Sequence, residues 1–229
     1  MLSTEIPLLD SCDDDWTWNV REKSHEVKLS GEKKRTAQFH PNWSNGTAAV
    51  RGNKVLQNGA RYYWEIVIPS RVFGTSMMLG VATKKARLHI DAFVNIIGED
   101  DQGWGLSHRG LLWHDGKSRK YTKPFKENES TKIGIMFDGI KGTLTYYKDG
   151  VSLGEAFTGL NHVKEDLYPM VASTAARTEM RIGVRKRSYS CLQDRCRVLI
   201  AKRLRTRRCL DVILLPKQLK SYVADYMQT

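Results

Sequence analysis

The sequence predicts a mainly β protein in which an antiparallel β-sandwich is followed by a small α-helical module. Several segments of the first 185 residues alternate hydrophobic with polar side chains, which is the pattern of half-buried strands. No helical pattern of about 10 to 15 residues alternates with these segments, so a parallel βαβ sheet is not expected. The last 44 residues differ, because their hydrophobic residues recur at helical spacing among many cations.

The strand predictions rest on hydrophobic periodicity and on turn signals. Segment 61–68, RYYWEIVI, places Tyr62, Trp64, Ile66 and Ile68 on one face. Further strands are predicted at 77–83, 132–138, 143–150, 167–173 and 178–184. The dipeptide Asp149-Gly150 predicts a tight hairpin turn after TLTYYK, because both residue types tolerate a left-handed backbone.

The tail begins with a predicted amphipathic helix. Its hydrophobic stripe has offsets of 0, 4, 7, 8 and 12 and consists of Leu192, Cys196, Leu199, Ile200 and Leu204. Ser190 precedes the stripe and can cap the helix. Such a face is covered either by the rest of the chain or by another protein, and the spacing alone leaves both open.

The positive charge is concentrated in the tail. The whole chain carries a net charge of +12, and residues 186–229 hold 11 Lys and Arg against 3 Asp and Glu. This shift in composition predicts a separate module that begins near Lys186. The cations are typical of a solvated helix face, and the alternative is a nucleic-acid footprint. Because no aromatic residue is interspersed among Arg195–Arg208, direct nucleic-acid contact is not expected.

Composition also restricts the compartment and the class of site. No run of about 18 apolar residues occurs, so no membrane span is expected. The first 15 residues lack the features of a signal peptide and are expected to be flexible. The four cysteines, at positions 12, 191, 196 and 209, form no CxxC pair and have no histidine near them in the tail. We therefore expect an intracellular protein, cytoplasmic or nuclear, without a metal or other cofactor.

Five motifs of the strand region occur together in a fixed order. They are Trp64-Glu65-Ile66, Gly80-Val81-Ala82-Thr83, GWGLSHRGLLWHDG (103–116), IGIMFDGIKGTLTYYKDG (133–150) and LYPMVAS (167–173). Through these motifs residues 16–185 resemble a SPRY domain. Residues 186–229, with the helical stripe described above, resemble a SOCS box. The chain is similar to the SPRY domain-containing SOCS box proteins, which implies a SPRY-type β-sandwich followed by a small α-helical SOCS box.

The resemblance assigns roles to residues of the tail. The first tail helix is similar to the elongin-binding pattern Leu-x-x-x-Cys-x-x-x-aliphatic, which implies that elongin C, with elongin B, binds Leu192, Cys196, Leu199 and Ile200. The following segment resembles the cullin 5 contact, which implies that Leu215, Pro216, Leu219 and Tyr222 face the cullin and its RING subunit. The family pattern there is Leu-Pro-aliphatic-Pro, and this chain reads Ile-Leu-Leu-Pro at 213–216, without the first proline.

The resemblance also implies a substrate site in the loops at one end of the sandwich, where relatives bind a short Asn-rich peptide. The residues carried over are Asn42, Trp43, Thr75, Phe93, Thr174, Ala175 and Ala176. Thr75 agrees with the family. Phe93 replaces a tyrosine, the loop PNWSNG (41–46) replaces one that bears an arginine and a proline, and Thr-Ala-Ala at 174–176 replaces Val-Trp-Gly. We expect an Asn-containing peptide with different flanking preferences.

Catalysis by this chain is not expected. The sequence has no P-loop, no Gly-x-Ser-x-Gly and no His-Glu-x-x-His. The carboxylates at 99–101 lie in a predicted turn, and His108 and His114 have no nucleophile partner. The resemblance implies an adaptor subunit that directs its substrate to ubiquitination and proteasomal degradation. The alternative is a SPRY scaffold that binds a protein partner, of a kind associated with nucleic acid, without delivering ubiquitin.

Overall fold

The fold is built from strands in its first part and from helices in its last. The structure is a computed structural model that describes residues 11–69, 72–189, 192–204 and 207–226. The strands are β1 Cys12–Asp13, β2 Trp18–Lys23, β3 Val27–Ser30, β4 Thr36–Phe39, β5 Thr47–Gly52, β6 Ala60–Ile68, β7 Met77–Thr83, β8 His89–Ile90, β9 Gly103–Ser107, β10 Leu111–His114, β11 Lys117–Lys120, β12 Thr131–Asp138, β13 Thr143–Lys148, β14 Val151–Phe157, β15 Leu167–Ser173 and β16 Thr178–Tyr189. The helices are α1 Leu192–Leu204, α2 Arg207–Val212 and α3 Lys217–Tyr226, and single 3-10 turns lie at Glu32–Lys34 and Leu160–His162.

The strands form two antiparallel sheets. One sheet has the order β14-β13-β12-β6-β16-β4-β3, with β1 also paired to β16. The other has the order β11-β10-β9-β7-β15-β5-β2, with β8 also paired to β5. Because the pairs in both sheets are antiparallel, the predicted antiparallel β-sandwich is confirmed.

The hydrophobic core lies between the two sheets. The alternating residues of β6 enter it as predicted, since Tyr62, Trp64, Ile66 and Ile68 are all at most 1% exposed. They pack with residues of the other sheet, among them Leu79 and Val81 of β7. Each such side chain contributes roughly 1.5–3 kcal/mol when fully buried, so the core is the main source of the sandwich's stability.

The predicted hairpin turn joins β13 to β14. Asp149 and Gly150 have φ angles of +49° and +87°. Two successive residues with positive φ are the mark of the type I′ turn, which matches the twist of the flanking strands. The Asp149 carboxylate also accepts a hydrogen bond from the Lys132 backbone N–H at 3.1 Å. The turn therefore ties the hairpin to the start of β12 as well.

An acidic strap, which we define as Cys12–Asp15, crosses the end of the sandwich that faces the tail. Cys12 and Asp13 pair with Arg187 and Lys186 of β16. The carboxylates form ion pairs as follows: Asp13 with Lys186 (2.7 Å), Asp14 with Lys54 (2.6 Å), and Asp15 with Lys33 (2.7 Å), Arg35 (3.1 Å) and Arg185 (3.1 Å). The hydrogen bond from Lys33 is the largest of the influences that hold the pKa of Asp15 below its ordinary value. These four residues fall in the segment for which flexibility was expected, and both strand pairing with β16 and the ion pairs hold them in place. Residues 1–10 lie outside the described part.

The tail consists of three short helices around a core of its own. Ala201, Leu210 and Val223 are buried at its centre, and Ile200, Leu204, Leu215 and Ala224 pack around them. The strand β16 continues to Tyr189, beyond the predicted boundary at residue 185, so little chain separates the sandwich from α1. None of the helices in the described ranges is long and apolar enough to cross a membrane.

Candidate functional site

The loops predicted to bind a substrate all lie at one end of the sandwich. Strand register brings them there, because Ser173 of β15 is paired with both Met77 of β7 and Ala48 of β5. Thr47 of β5 is in turn paired with Ile90 of β8. The segments that adjoin these strand ends are 40–46, 72–76, 91–95 and 174–177. We call these four segments the loop end.

Side-chain hydrogen bonds join three of the segments to one another. The Ser44 hydroxyl donates to the Thr174 carbonyl oxygen at 2.5 Å. The Thr174 hydroxyl accepts from the Ser76 N–H at 2.9 Å and donates to the Ser76 carbonyl at 3.0 Å. Because these bonds involve backbone groups on three segments, the segments form one connected structure.

The segment that carries Phe93 is held in a similar way. The Thr47 hydroxyl donates to the Ala92 carbonyl at 2.6 Å and accepts from the Val94 N–H at 3.0 Å. The two residues that flank Phe93 along the chain are thus bonded to one side chain of β5. Because the backbone is anchored on both sides of Phe93, the phenyl ring stays close to the loop end.

One glycine is required for two of the segments to approach each other. Gly74 has a φ of +99°, and a Cβ placed on it would lie 3.0 Å from the Cβ of Ala175. A side chain at position 74 would meet both a backbone strain and a close contact. Because glycine has no side chain, residues 72–76 can lie directly against residues 174–176.

The predicted substrate residues divide into an exposed group and a supporting group. Trp43 is 82% exposed and Phe93 is 50% exposed, and Asn42 and Thr75 are exposed as well. Thr174 and Ala175 are each only 4% exposed, and Ala176 is half-buried. The loop end thus offers two aromatic rings to solvent above a base of small, buried side chains.

Two buried histidines, which the sequence did not mark as site residues, support the loop end. His40 is fully buried, and its Nε2 lies 3.1 Å from the Ser173 carbonyl oxygen. His108 accepts a hydrogen bond at Nδ1 from the Met77 N–H at 3.1 Å. Burial is the largest of the influences that lower the pKa of both imidazoles, and the nearby positive charge of Arg109 lowers the pKa of His108 further.

We expect the stability of the sandwich to fall as the pH drops below about 6.5, the ordinary pKa of histidine. The folded state holds His40 and His108 at lowered pKa values, whereas the unfolded chain does not. The unfolded state therefore binds more protons below that pH, and the free energy of unfolding decreases until the pH passes the folded pKa values. Above about pH 7.5 both states are neutral at these residues, so they add no further dependence.

Urea unfolding of the full chain at several pH values between about 7.5 and 5.5 measures this effect. His108→Gln should lower the stability and flatten its slope with pH. A wild-type free energy of unfolding that stays flat across this range would contradict the assignment. The lowered pKa values of Asp15 and Asp138 act only at more acidic pH and do not interfere.

The hydrophobic stripe of α1 divides into two faces. Leu199 is 63% exposed and Cys196 is exposed, so both point away from the tail's core. Ile200 and Leu204 instead pack against that core. The side chain of Leu192 lies outside the described part, although its backbone begins α1. Cys196 and Leu199 therefore form an exposed apolar pair on the side of α1 that the tail's core leaves uncovered.

The four residues predicted to face a cullin lie just before α3 and within it. The exposed Pro216 lies just before the helix, and its carbonyl oxygen accepts from the N–H groups of Leu219 and Lys220, both at 3.0 Å. Leu215 packs on the tail's core, while Leu219 is 41% exposed. Tyr222 is half-buried, with the Arg197 guanidinium over its ring. The four residues therefore differ in how much surface they present.

Several polar side chains of the described part of the chain lie close together. No three His, Cys, Asp or Glu side chains there are grouped so that they could hold a metal ion. Ser24, His89 and Asp91 are joined by two contacts of 2.9 Å, but Ser24 is only 3% exposed and its oxygen already accepts from the Glu26 N–H. A buried hydroxyl with this bonding cannot reach a substrate as a nucleophile.

The carboxylates at 99–101 are likewise occupied by structural contacts. Glu99 pairs with Arg87 at 2.7 Å. Asp100 accepts from the Gln102 backbone N–H, and Asp101 accepts from the Gln102 side-chain amide. These bonds fit the predicted turn, in which the acidic groups stabilise the local backbone.

Comparison with known proteins agrees with this architecture. The SPRY domain family matches residues 61–186. SPRY domain-containing SOCS box protein 3 of Xenopus tropicalis is 36% identical over 218 residues, which cover 92% of this chain and 58% of the relative. SPRY domain-containing SOCS box protein 1 of Mus musculus is 31% identical over 236 residues, which cover 97% of this chain and 82% of the relative. The chain belongs to the SPRY domain-containing SOCS box protein family. It spans little more than half the length of the Xenopus member of that family.

Other comparisons extend the same result. Protein gustavus of Drosophila melanogaster is 31% identical over 221 residues, which cover 90% of this chain and 78% of the relative. Among solved structures, the SPRY domain of human HERC1 superimposes with a TM-score of 0.58 at 17% identity, covering 73% of this chain and 97% of that one. At that identity the likeness concerns the fold alone, and it agrees with the SPRY-type sandwich of this family member.

Proposed function

We propose that this chain is the substrate-recognition subunit of an elongin B/C–cullin 5 RING ubiquitin ligase. The loop end would bind a short Asn-containing segment of the substrate, and the tail would act as the SOCS box. The substrate would then be ubiquitinated by other subunits and degraded by the proteasome. The observation that carries this proposal is the divided stripe of α1, which exposes Cys196 and Leu199 while Ile200 and Leu204 serve the tail's core.

The exposed face of α1 supports elongin binding through its size and chemistry. Leu192, Cys196 and Leu199 follow the 4- and 3-residue steps of one helix face. Leucine supplies most of the hydrophobic area of such a contact, and cysteine is small enough to pack beside it. An exposed leucine alone is common on protein surfaces, and the support here is that Leu199 and the exposed Cys196 lie on one face of α1, with Cys196 at the cysteine position of the elongin-binding pattern.

The loop end supports recognition of an amide side chain. The hydrogen bonds between its segments fix the backbone of these loops, and a backbone carbonyl oxygen, which can accept two hydrogen bonds, can also accept from the amide of an asparagine. The exposed rings of Trp43 and Phe93 add apolar area beside these polar groups. A site with this composition can hold a short peptide without any catalytic group.

The proposal is tested by coexpression of the full chain with elongins B and C. We expect the three proteins to copurify in equal amounts, and we expect the chain expressed alone to be poorly soluble. The reason is that Val212 is 83% exposed, Leu214 is fully exposed and Leu199 is 63% exposed, which is much apolar surface for so small a module. The proposal would be contradicted if the chain were soluble and monodisperse alone and did not bind the elongins when coexpressed with them.

A second candidate is a scaffold that binds its partner through the loop end without delivering ubiquitin. It is favoured by the sequence Ile-Leu-Leu-Pro at 213–216, which lacks the first proline of the family's cullin segment. Addition of purified cullin 5 with its RING subunit to the elongin complex separates the two candidates. Formation of a stable larger complex supports the ligase subunit, and its absence supports the scaffold.

A further inference from the structure

Arg197 lies where α1, α3 and the sandwich come together. Its guanidinium carbon is 4.1 Å from the centroid of the Tyr222 ring on α3. The same side chain lines a cavity of about 440 Å³ whose other walls include the acidic strap, Lys54 and Arg187. A single residue of the first tail helix is therefore in contact with the third helix and also borders the sandwich.

The Arg197–Tyr222 contact is a cation–π interaction in a partly desolvated position. A guanidinium attracts the negative face of an aromatic ring when it lies within about 6 Å of the centroid. Arg197 and Tyr222 are both half-buried, which weakens the competition from water. The planar guanidinium can also stack on the ring, so the contact constrains orientation as well as distance.

This contact extends the attachment between α1 and α3. The tail's core already joins the two helices through Ile200, Ala201 and Leu204 of α1 and Val223 and Ala224 of α3. Arg197 precedes Ala201 by one helical turn, so the cation–π contact lies further along α1 toward the sandwich. The packing of α1 on α3 therefore extends beyond the tail's core toward the start of α1, which adds to the restraint on the crossing angle of the two helices.

The contact also lies between the two faces that the proposed function assigns to partners. Cys196 precedes Arg197 directly in α1, and Leu199 is exposed two positions later. On α3, the exposed Leu219 lies one turn before Tyr222. A change in the angle between the helices would therefore move the elongin face relative to the cullin face, to which Tyr222 itself belongs.

We propose that Arg197 is a positioning residue that sets the geometry between the elongin-binding and cullin-binding faces of the tail. It acts through Tyr222, which belongs to the cullin face, and Arg197 is not itself one of the residues assigned to either partner. The inference rests on the proposed function, since it concerns how two partner surfaces are held together in one subunit.

The experiment uses the full chain in complex with elongins B and C, and it measures the affinity for cullin 5 with its RING subunit by calorimetry. Arg197→Ala should leave elongin capture unchanged and weaken cullin 5 binding by about 5- to 10-fold, the range expected for a partly desolvated cation–π contact. Arg203→Ala, at an exposed arginine of the same helix that is assigned to neither partner, is the control and should stay within about 2-fold of wild type. Tyr222→Leu should weaken binding at least as much as Arg197→Ala.

The double variant Arg197→Ala/Tyr222→Leu decides between positioning and a separate role. If Arg197 acts through Tyr222, the double variant binds cullin 5 no more weakly than Tyr222→Leu alone. Additive losses would overturn the inference, and so would an Arg197→Ala variant with wild-type affinity. Equal losses of elongin and cullin binding would indicate general destabilisation and would also overturn it. A wild-type complex that captures no cullin 5 would refute the proposed function and this inference with it.

Discussion

Leu192→Arg is expected to abolish capture of elongins B and C. In the proposed complex this leucine enters a pocket of elongin C, and burial of a leucine contributes roughly 1.5–3 kcal/mol. An arginine at the same position would also require an unpaired charge to be buried, which costs more than the leucine contributes. The measurement is copurification of the tagged full chain with coexpressed elongins.

Lys202→Ala is the matched control on the same helix, because position 202 lies off the hydrophobic stripe. We expect it to retain elongin capture at the wild-type level. Peptide binding at the loop end should be unaffected in both variants, since the substitutions lie in the tail. Wild-type elongin recovery with Leu192→Arg would show that α1 is not the interface.

A peptide with two adjacent asparagines is expected to bind the loop end. Replacement of one asparagine by aspartate should strongly reduce the affinity of the peptide. An amide both donates and accepts hydrogen bonds, whereas a carboxylate only accepts. The substitution would leave a carbonyl of the site without its donor, at a cost of about 1–3 kcal/mol, which is roughly a 5- to 150-fold loss of affinity. Calorimetry on the complex with elongins B and C measures this difference.

Substitutions in the protein locate the peptide. Trp43→Ala and Phe93→Ala remove the two exposed rings of the loop end. Each should make the free energy of peptide binding less favourable by about 1–3 kcal/mol. The control is Ile140→Ala, because Ile140 is also exposed but lies in the turn between β12 and β13, near the start of β6. If all three variants bind as tightly as wild type, the substrate site lies elsewhere on the molecule.

Ala175→Trp tests the base of the same site. The relatives' tryptophan stands at this position in the sequence, but here Ala175 is only 4% exposed and lies against Gly74. An indole cannot occupy that space unless residues 72–76 move. We therefore expect the variant to lose the Asn-containing peptide. Tighter binding than wild type would contradict the packing of Gly74 on Ala175.

The strands of the sandwich could be predicted because their signals are local. The alternation in 61–68 predicted the buried face of β6, and Asp149-Gly150 predicted the turn after β13. Both signals are carried by residues that are neighbours in the sequence. The confirmed antiparallel architecture follows from these segments together with the absence of helical patterns between them.

Features that depend on distant residues could not be predicted in this way. The periodicity of α1 placed Leu199 and Ile200 on one stripe, but only the positions of α2 and α3 determine which of them is covered. The role of His40 depends on the carbonyl of Ser173, 133 positions away. The contact of Arg197 with Tyr222 likewise joins two helices whose packing no local pattern reveals.

The acidic strap has a practical consequence for any shortened version of this protein. A recombinant fragment that starts at Trp16 would keep all five motifs by which the sandwich is recognised. It would, however, leave Lys33, Arg35 and Arg185 facing one another without the carboxylate of Asp15. We expect such a fragment to be less stable at low ionic strength and to regain stability with added salt, which screens the repulsion. A fragment that retains Asp15 keeps this charge neutralised, so the better N-terminal boundary lies upstream of Trp16, where the hydrophobic pattern begins.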